Sequence, residues 1–490
     1  MRCAGRNRCF SASWAECVIR RSKSFVPPHI NSYLIINNEN TTMGTRNYAN
    51  ISLDNELFRP HSRRETNQNA GVPMSLKDVV EKSRELRQNN KMLKLLELIW
   101  KNPGIARRDL GPLARLSRGA VTSNITQLIE EQYVVEGESD PENENRLGRG
   151  SIGLYVAPDF FYTIGILILS DFTAVLYDAS GKAVKVYHEP FKMQKEGAYR
   201  QTLEALQRAI PQLMGEARTE VVALGIACTG IIDFDSGEVF SSSSFPGIGP
   251  FNLKNFIREL CGLDPFLINI SHLNPIMEKL WGAAKNIDNF ITVDDSCTAG
   301  FFLNGELFRG WQKHAGELGY MKVTETAEIA NDGRGGVVAL KALSHVLSDQ
   351  LRSMIANGGR PKILEYMDSP DQEITTELLV QAIEGGDKYV EQKMAERYEV
   401  IGEAIVNTAY MLNPEAIFLE AWTARCPQCT LDIVERKMGS YGLSNWHLST
   451  RIRSCKCTMK TAPRAVAYLA AEVVFRNSDS RRAEQETEVE

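Results

Sequence analysis

Leu116-Ser117-Arg118-Gly119-Ala120-Val121-Thr122-Ser123-Asn124-Ile125-Thr126-Gln127-Leu128-Ile129-Glu130-Glu131 decides how the N-terminal third of this chain is read. Val121, Ile125, Leu128 and Ile129 recur at the three- and four-residue spacing of an amphipathic helix, predicted from about Arg118 to Glu131. Ser117 stands where a hydroxyl caps a first helical turn. The opposite edge carries Arg118, Gly119, Thr122, Ser123 and Thr126, all outside the apolar stripe. Upstream, Met92, Leu95, Leu96 and Ile99 form a second stripe that Asn102-Pro103-Gly104 ends, and a short helix around Ala106–Arg115 is expected to bury Leu110 and Leu113. Downstream, Tyr133-Val134-Val135-Glu136 and Ile152-Gly153-Leu154-Tyr155-Val156 read as two strands around a polar, glycine-containing loop. Three helices followed by a hairpin predict a winged helix-turn-helix over residues 81–156.

A helix that enters the major groove needs small or polar side chains on its leading turn, because bulk would hold its backbone away from the base edges. The turn before it is locally basic, with Arg107, Arg108, Arg115 and Arg118 against the single acid Asp109, which suits phosphate neutralisation. Arg107, Arg108, Ser117, Arg118, Gly119, Thr122 and Ser123 are therefore candidate DNA contacts, joined by Arg146 and Arg149 on the wing. The wing also holds Glu136, Glu138, Asp140, Glu142 and Glu144, which phosphates repel, so its tip is expected to point outward. One helix makes few base contacts, so recognition of double-stranded DNA implies a homodimer or homotetramer on a palindromic site. A protein-interaction role for the same unit stays open.

The charge balance, 56 Lys and Arg against 61 Asp and Glu for a net −5, excludes a uniformly basic nucleic-acid binder and makes any DNA-binding surface local. No apolar run approaches a membrane span and no hydrophobic segment follows the charged N-terminus, so a cytoplasmic location without a membrane partner is expected. Ten cysteines scattered over 490 residues fit reduced thiols better than a disulfide framework. Residues 1–80 show no sustained period and read as a disordered leader, and Met1, Met43 and Met74 are all open as the translation start.

After Pro158 the pattern alternates, with strands at Tyr162–Leu169, Ala174–Asp178 and Val221–Ala227 around a helix at Tyr199–Leu213. Such alternation predicts α/β layers over a largely buried sheet, for a second unit spanning 157–477. The segment Thr375–Leu412 looks mostly helical, Arg464–Phe475 is a final apolar helix, and 478–490 is a charged, disordered tail.

The order of these segments resembles the ROK family (repressors, open reading frames, kinases) and, within it, the transcriptional regulators of xylose- and N-acetylglucosamine-repressor type. The resemblance covers about 85–475. It rests on the run Leu110–Val135, on Gly148-Arg149-Gly150 where the family usually has Gly-Arg-Pro, and on Ala223-Leu224-Gly225-Ile226-Ala227-Cys228-Thr229-Gly230. It continues through Phe302-Leu303-Asn304-Gly305-Glu306-Leu307, Ala315-Gly316-Glu317-Leu318-Gly319-Tyr320 and Asn413-Pro414-Glu415-Ala416-Ile417-Phe418-Leu419, all in the family's order. The resemblance implies a two-lobed actin-like fold, of the ribonuclease H-like sugar-kinase type, behind the winged helix. It also implies a regulator, most simply a repressor, of carbohydrate genes.

The kinase machinery that the resemblance would bring is altered at four places. The family's catalytic Asn-Asp aligns with Asn269-Ile270, and isoleucine accepts no proton from a sugar hydroxyl. Its Asp-x-Gly-Gly-Thr phosphate turn is Leu167-Ile168-Leu169-Ser170-Asp171 here. Val293-Asp294-Asp295-Ser296-Cys297-Thr298 puts two carboxylates where a triphosphate would lie, and Leu419-Glu420-Ala421-Trp422 replaces glycines on the adenosine side. No catalytic residue, no enzymatic activity and no cofactor are expected. A sugar kinase with unusual catalytic residues is the alternative, and a ligand-free dimeric scaffold a third reading.

The family's zinc cysteines are missing from Glu328–Ser344, and its zinc-ligating histidine is Tyr320 here, so no metal is expected at that place. Cys426, Cys429, Cys455 and Cys457 have a spacing compatible with zinc and are otherwise read as free thiols. Asn269 and Glu317 persist as hydroxyl-reading groups, and with Tyr320 they form the candidate site for a sugar or sugar-derived effector. Glu317 is read equally as a capping or loop-bonding residue, and the loss of polar anchors points to an altered ligand or an empty cleft.

Overall fold

The computed structural model describes residues 90–138, 152–169, 171–191, 199–242, 251–325, 335–369, 372–440 and 449–487. The expected leader, the wing tip with Arg146 and Arg149, and residues 488–490 lie outside them.

The N-terminal unit consists of α1 (Asn90–Lys101), β1 (Ile105–Ala106), α2 (Arg107–Ala114), α3 (Arg118–Glu130), β2 (Val134–Glu138) and β3 (Ile152–Val156). The stripe of α1 buries Met92, Leu95, Leu96 and Ile99 against Leu110, Val121, Ile125 and Leu128. Two expectations need correction. Ala106 does not open a helix: Ile105 and Ala106 form a third strand, antiparallel to β3, so the sheet order is β1-β3-β2. Leu113 is half exposed, because Leu110 and Ala114, one turn apart, already supply the buried face of the two-turn α2.

The second unit starts with β4 (Tyr162–Ile168), β5 (Asp171–Asp178), β6 (Ala183–Pro190), α4 (Tyr199–Glu216) and β7 (Val221–Cys228). A small excursion follows, β8 (Ile231–Asp233), β9 (Glu238–Ser241) and β10 (Phe251–Asn252), then α5 (Leu253–Cys261), β11 (Phe266–Asn269) and α6 (Ile270–Leu280). The next strands are β12 (Phe290–Val293), β13 (Ala299–Leu303) and β14 (Glu306–Phe308), followed by α7 (Ala339–Ala342), α8 (Ser344–Ala356), α9 (Thr376–Glu384) and α10 (Lys388–Leu412). The chain closes with β15 (Ala416–Leu419), α11 (Leu431–Ser440), β16 (Arg451–Ser454) and α12 (Ala462–Thr487). The helix predicted at Arg464–Phe475 therefore continues through ten residues of the expected tail.

Two five-stranded sheets share one topology. Their orders are β6-β5-β4-β7-β11 and β14-β13-β12-β15-β16, in each case an antiparallel meander followed by two parallel strands. Each sheet heads a lobe with its own core, one around Ile164, Ile166, Leu206 and Ile226, the other around Ile291, Leu379, Ile405 and Ile417. β6 escaped prediction because it is an edge strand whose Lys185, Val186, Tyr187 and His188 mix polar and apolar residues on a largely exposed surface.

α12 leaves lobe two and returns to pack on β4 and β7 of lobe one. The approach requires glycine: a Cβ at Gly165 would stand 1.8 Å from the Pro463 carbonyl oxygen, and one at Gly225 would stand 2.3 Å from that of Val466. The outer side of α12 receives the N-terminal unit, where Trp100 packs on Tyr468 and Phe475 and Lys101 pairs with Glu472.

Candidate nucleic-acid interface and interlobe cleft

Local chemistry shapes the turn between α2 and α3. Arg115 takes a left-handed conformation at the end of α2, and the Leu116 amide donates to the Gly111 carbonyl at 3.0 Å. The Ala120 amide then donates to Ser117 Oγ at 3.3 Å, the predicted cap. Beyond it, Arg118, Gly119, Thr122, Ser123 and Thr126 are exposed along one edge of α3, while Val121, Ile125 and Leu128 are buried on the other. The Thr122 hydroxyl is turned back onto the Arg118 carbonyl at 3.0 Å. Gly119 has no neighbour within 4 Å of an added Cβ, so nothing among the described residues demands its small size.

The arginines differ in availability. Arg107 donates to Glu136 on β2 at 2.7 Å, so that acid already holds it. Arg108 is half exposed, with Asp109 a loose 3.8 Å away. Arg118 is exposed at the start of α3.

The other candidate site lies where the carboxyl ends of the parallel strands meet, the usual ligand position in open α/β sheets. Asn269 ends β11 in register with Cys228 of β7. Its Oδ1 accepts from the Ser271 amide at 3.0 Å and from Ser271 Oγ at 2.9 Å, so one half of the side chain caps α6. The Asn269 NH2 has no partner among the described residues. One turn on, the buried His272 places Nε2 3.3 Å from the Ala315 carbonyl oxygen, which brings the start of α6 against the Ala315-Gly316-Glu317 segment. Its pKa is pushed down to about 4, chiefly by burial and further by the neighbouring Arg309 and His314, so the ring is neutral at physiological pH. Glu317 and Tyr320 are exposed beside it, and Glu317 makes no capping bond to the short turn Leu318–Tyr320.

Across the cleft, Asp294 organises the β12–β13 turn, accepting from the Ser296 and Thr298 amides and from the Thr298 hydroxyl. Its pKa is raised to about 6, first by burial, with Asp295 adding to the shift. Asp295 Oδ2 accepts from the Trp422 indole at 3.0 Å and from the Thr376 hydroxyl at 3.0 Å, while the buried Arg397 donates to the Asp295 carbonyl at 2.7 Å. Glu420 lies in the same group, its pKa raised well above the usual carboxylate value by burial and by Asp295 and Asp294. The two altered segments read from sequence are thus joined by the Trp422–Asp295 bond. Sequence offered no sign of Arg397 beneath them, because the oxygens it donates to lie 53 to 102 residues away.

The four cysteines do not gather. Cys426 and Cys429 are buried before α11, Cys455 and Cys457 stand between β16 and α12, and no group of three or more metal-ligating side chains exists among the described residues. No helix among those residues is long and apolar enough to cross a membrane.

Duplicated meander-plus-parallel sheets, each heading its own core, define a two-lobed α/β fold of sugar-kinase type. The family model described as ROK matches residues 169–454, and the chain belongs to that family. It is similar to a xylose repressor from Caldicellulosiruptor bescii, 24% identical over 341 residues that cover 68% of this chain and 83% of that protein. It is also similar to an N-acetylglucosamine repressor of Escherichia coli O6:H1, 22% identical over 346 residues that cover 69% and 82%. Among solved structures, a ROK-family transcriptional regulator described as a homologue of the Escherichia coli MLC protein superposes with a TM-score of 0.61 at 19% identity, covering 80% of this chain and 97% of that one. A ROK-family glucokinase from Streptomyces griseus, solved with glucose and AMPPNP, superposes with a TM-score of 0.52 at 20% identity, covering 64% and 99%.

Proposed function

We propose that this protein is a DNA-binding transcriptional regulator, a repressor of carbohydrate genes, whose N-terminal unit is a winged helix-turn-helix with α3 as its recognition helix. The observation that carries this reading is the exposed edge of α3. Gly119 sits in an outward-facing first turn with open space around it, a choice that costs helix stability and has no packing reason among the described residues. Close approach of another backbone or of base edges supplies a reason. Names of relatives support it, since the relatives above are described as repressors. Arg118, Ser117, Thr122 and Ser123 are the direct contacts, Arg108 a phosphate contact, and Arg107 serves through its bond to Glu136 to set the wing. Arg146 and Arg149 remain wing contacts in this proposal. A homodimer or homotetramer on a palindrome supplies the second half-site.

In the same reading the two-lobed unit holds a sugar-derived effector between Asn269, Glu317 and Tyr320 and transfers no phosphoryl group. Ile270 lacks a proton acceptor, and the carboxylates of Asp294 and Asp295 repel a triphosphate where the Trp422 indole bonds Asp295. An effector shifts DNA affinity only in so far as it binds one lobe arrangement better than the other. Electrophoretic mobility shift on genomic fragments at low salt is the test. A shift on a fragment with an inverted repeat is expected, and no shift on any fragment overturns the reading. ADP release from ATP in the presence of a hexose overturns its second half.

A further inference from the structure

The loop Arg309–Gly316, between β14 and the Leu318–Tyr320 turn, lies against the start of α6, where His272 meets the Ala315 carbonyl, and carries more chemistry than the sugar-reading residues need. It is curled tightly: Gly310, Lys313 and Gly316 all have positive φ, and the Ala315 amide donates to the Arg309 carbonyl at 3.0 Å. Lysine in the left-handed region is a local cost, so the curl at Lys313 is imposed by its surroundings. Lys313 reaches out of lobe two to form an ion pair with Asp235, on the turn between β8 and β9 that extends from lobe one. The Arg309 guanidinium makes neither a hydrogen bond nor an ion pair with any described residue. It lies within electrostatic reach of Asp235 on one side and of His272, one turn down α6 from Asn269, on the other. Burial lowers the Arg309 pKa, with Asp235 opposing that shift, so a half-buried cation stands between Asp235 and His272 with its fork of donors unmet among the described residues. The acids nearby do not fill it. Asp235 is taken by Lys313, and Asp233, which also feels Lys313, accepts from the Asp235 and Ser236 amides.

We propose that this loop is an oxyanion site, and that the effector held by this cleft is an anionic sugar derivative whose phosphate ester or carboxylate is taken by Arg309 and Lys313 in competition with Asp235. The inference rests on the proposed effector role of the cleft and goes beyond it by naming the charge of the ligand. A planar guanidinium suits two oxygens of such a group, and charge-assisted bonds of this kind are the strong ones. The Asn269 NH2, also unmet among the described residues, stands ready for a hydroxyl. Because Lys313–Asp235 ties the two lobes, an oxyanion that draws Lys313 away loosens that tie, which gives the ligand unequal affinity for the two lobe arrangements.

The experiment is isothermal titration of the full-length chain with glucose, xylose and N-acetylglucosamine, each as the free sugar and as its terminal phosphate, together with gluconate and inorganic phosphate. At least one anionic derivative is expected to bind at least about tenfold more tightly than its neutral parent. R309Q is expected to remove that advantage and D235N to increase it, with circular dichroism showing both variants folded. A neutral sugar binding as tightly as its phosphate or acid, or equal affinity in R309Q and the parent chain, overturns the oxyanion site while leaving the effector cleft standing. Inorganic phosphate alone binding as tightly as every sugar derivative overturns the link between oxyanion and sugar. Absence of binding by every compound overturns both this inference and the effector reading beneath it.

Discussion

The indole of Trp100 lies stacked on the ring of Tyr468, centroids 4.6 Å apart and planes 11° from parallel. Tyr468 in turn meets Trp281, at the end of α6, edge-on at 5.9 Å. Helix α1 of the N-terminal unit, helix α12 on the lobe-one sheet and helix α6 leading from Asn269 are therefore in continuous aromatic contact. α6 is held to α12's approach from the other side as well, since the buried Glu278 carboxylate accepts from the amides of Lys456 and Cys457 at 2.9 and 2.7 Å.

Trp100→Ala removes a nearly buried ring that contacts Phe161, Tyr468 and Phe475, and large aromatic deletions of this kind cost about 3–5 kcal/mol. The N-terminal unit is expected to unfold at lower denaturant than the lobes in this variant, as a transition of its own below the parent midpoint. Urea titration followed by limited proteolysis checks it. A single transition at the parent midpoint would show that the stack contributes nothing.

Gly165→Ala acts on the opposite side of α12. Its methyl would fall 1.8 Å from the Pro463 carbonyl oxygen, so backbone has to move, and overpacking of this kind costs about 1–3 kcal/mol or more. Here the lobe-one transition is expected to move. A melting temperature unchanged from the parent chain would mean that the helix-to-sheet approach is looser than the distance implies.

Much of this was legible from sequence, and the failures share one cause. The stripes of α1 and α3, the Ser117 cap and strand β3 were readable because each depends on residues within a turn or two of one another. Leu113 misled because α2 is only eight residues long and Ala114 took the buried place that hydrophobicity assigned to leucine. The two-residue β1 carries too few residues to show a period. At the cleft, Asn269, Ile270, Asp294, Asp295 and Trp422 were found through the family pattern. Arg309 and Asp235 were not, because an approach between residues 74 positions apart leaves no periodic mark in the chain.

The raised pKa of Asp294 makes stability depend on pH in a definite direction. Its carboxyl titrates near 6 in the fold against an ordinary 3.8, so the native state binds the proton more tightly than the unfolded chain does. Stability from this group is therefore greatest below about 3.8 and declines as pH rises to about 6, after which no more is lost. Asp294→Asn is expected to gain on the parent chain through that window and to keep the gain at pH 7.5. Glu420, raised for the same reasons, adds a loss of the same sign. Urea midpoints from pH 4 to 8 check it, and a variant that loses ground as pH rises contradicts the assignment.

The edge of α3 yields the last prediction, in which stability and binding move apart. Gly119→Ala adds a methyl into open space on a helix, so the fold is expected to gain up to about 1 kcal/mol. DNA affinity should nonetheless fall, because the methyl occupies the gap through which the helix approaches base edges. Arg118→Gln should also weaken binding, through loss of a base contact, whereas Arg108→Gln should do so through loss of a phosphate contact. Loss of one phosphate contact lowers affinity about equally across sequences and reduces the salt slope by roughly one, whereas loss of a base contact relaxes preference at one position. Fluorescence anisotropy of a labelled site at several salt concentrations separates these outcomes. Should Gly119→Ala stabilise the protein and bind DNA as tightly as before, α3 would be an outer wall of the unit and not its reading surface.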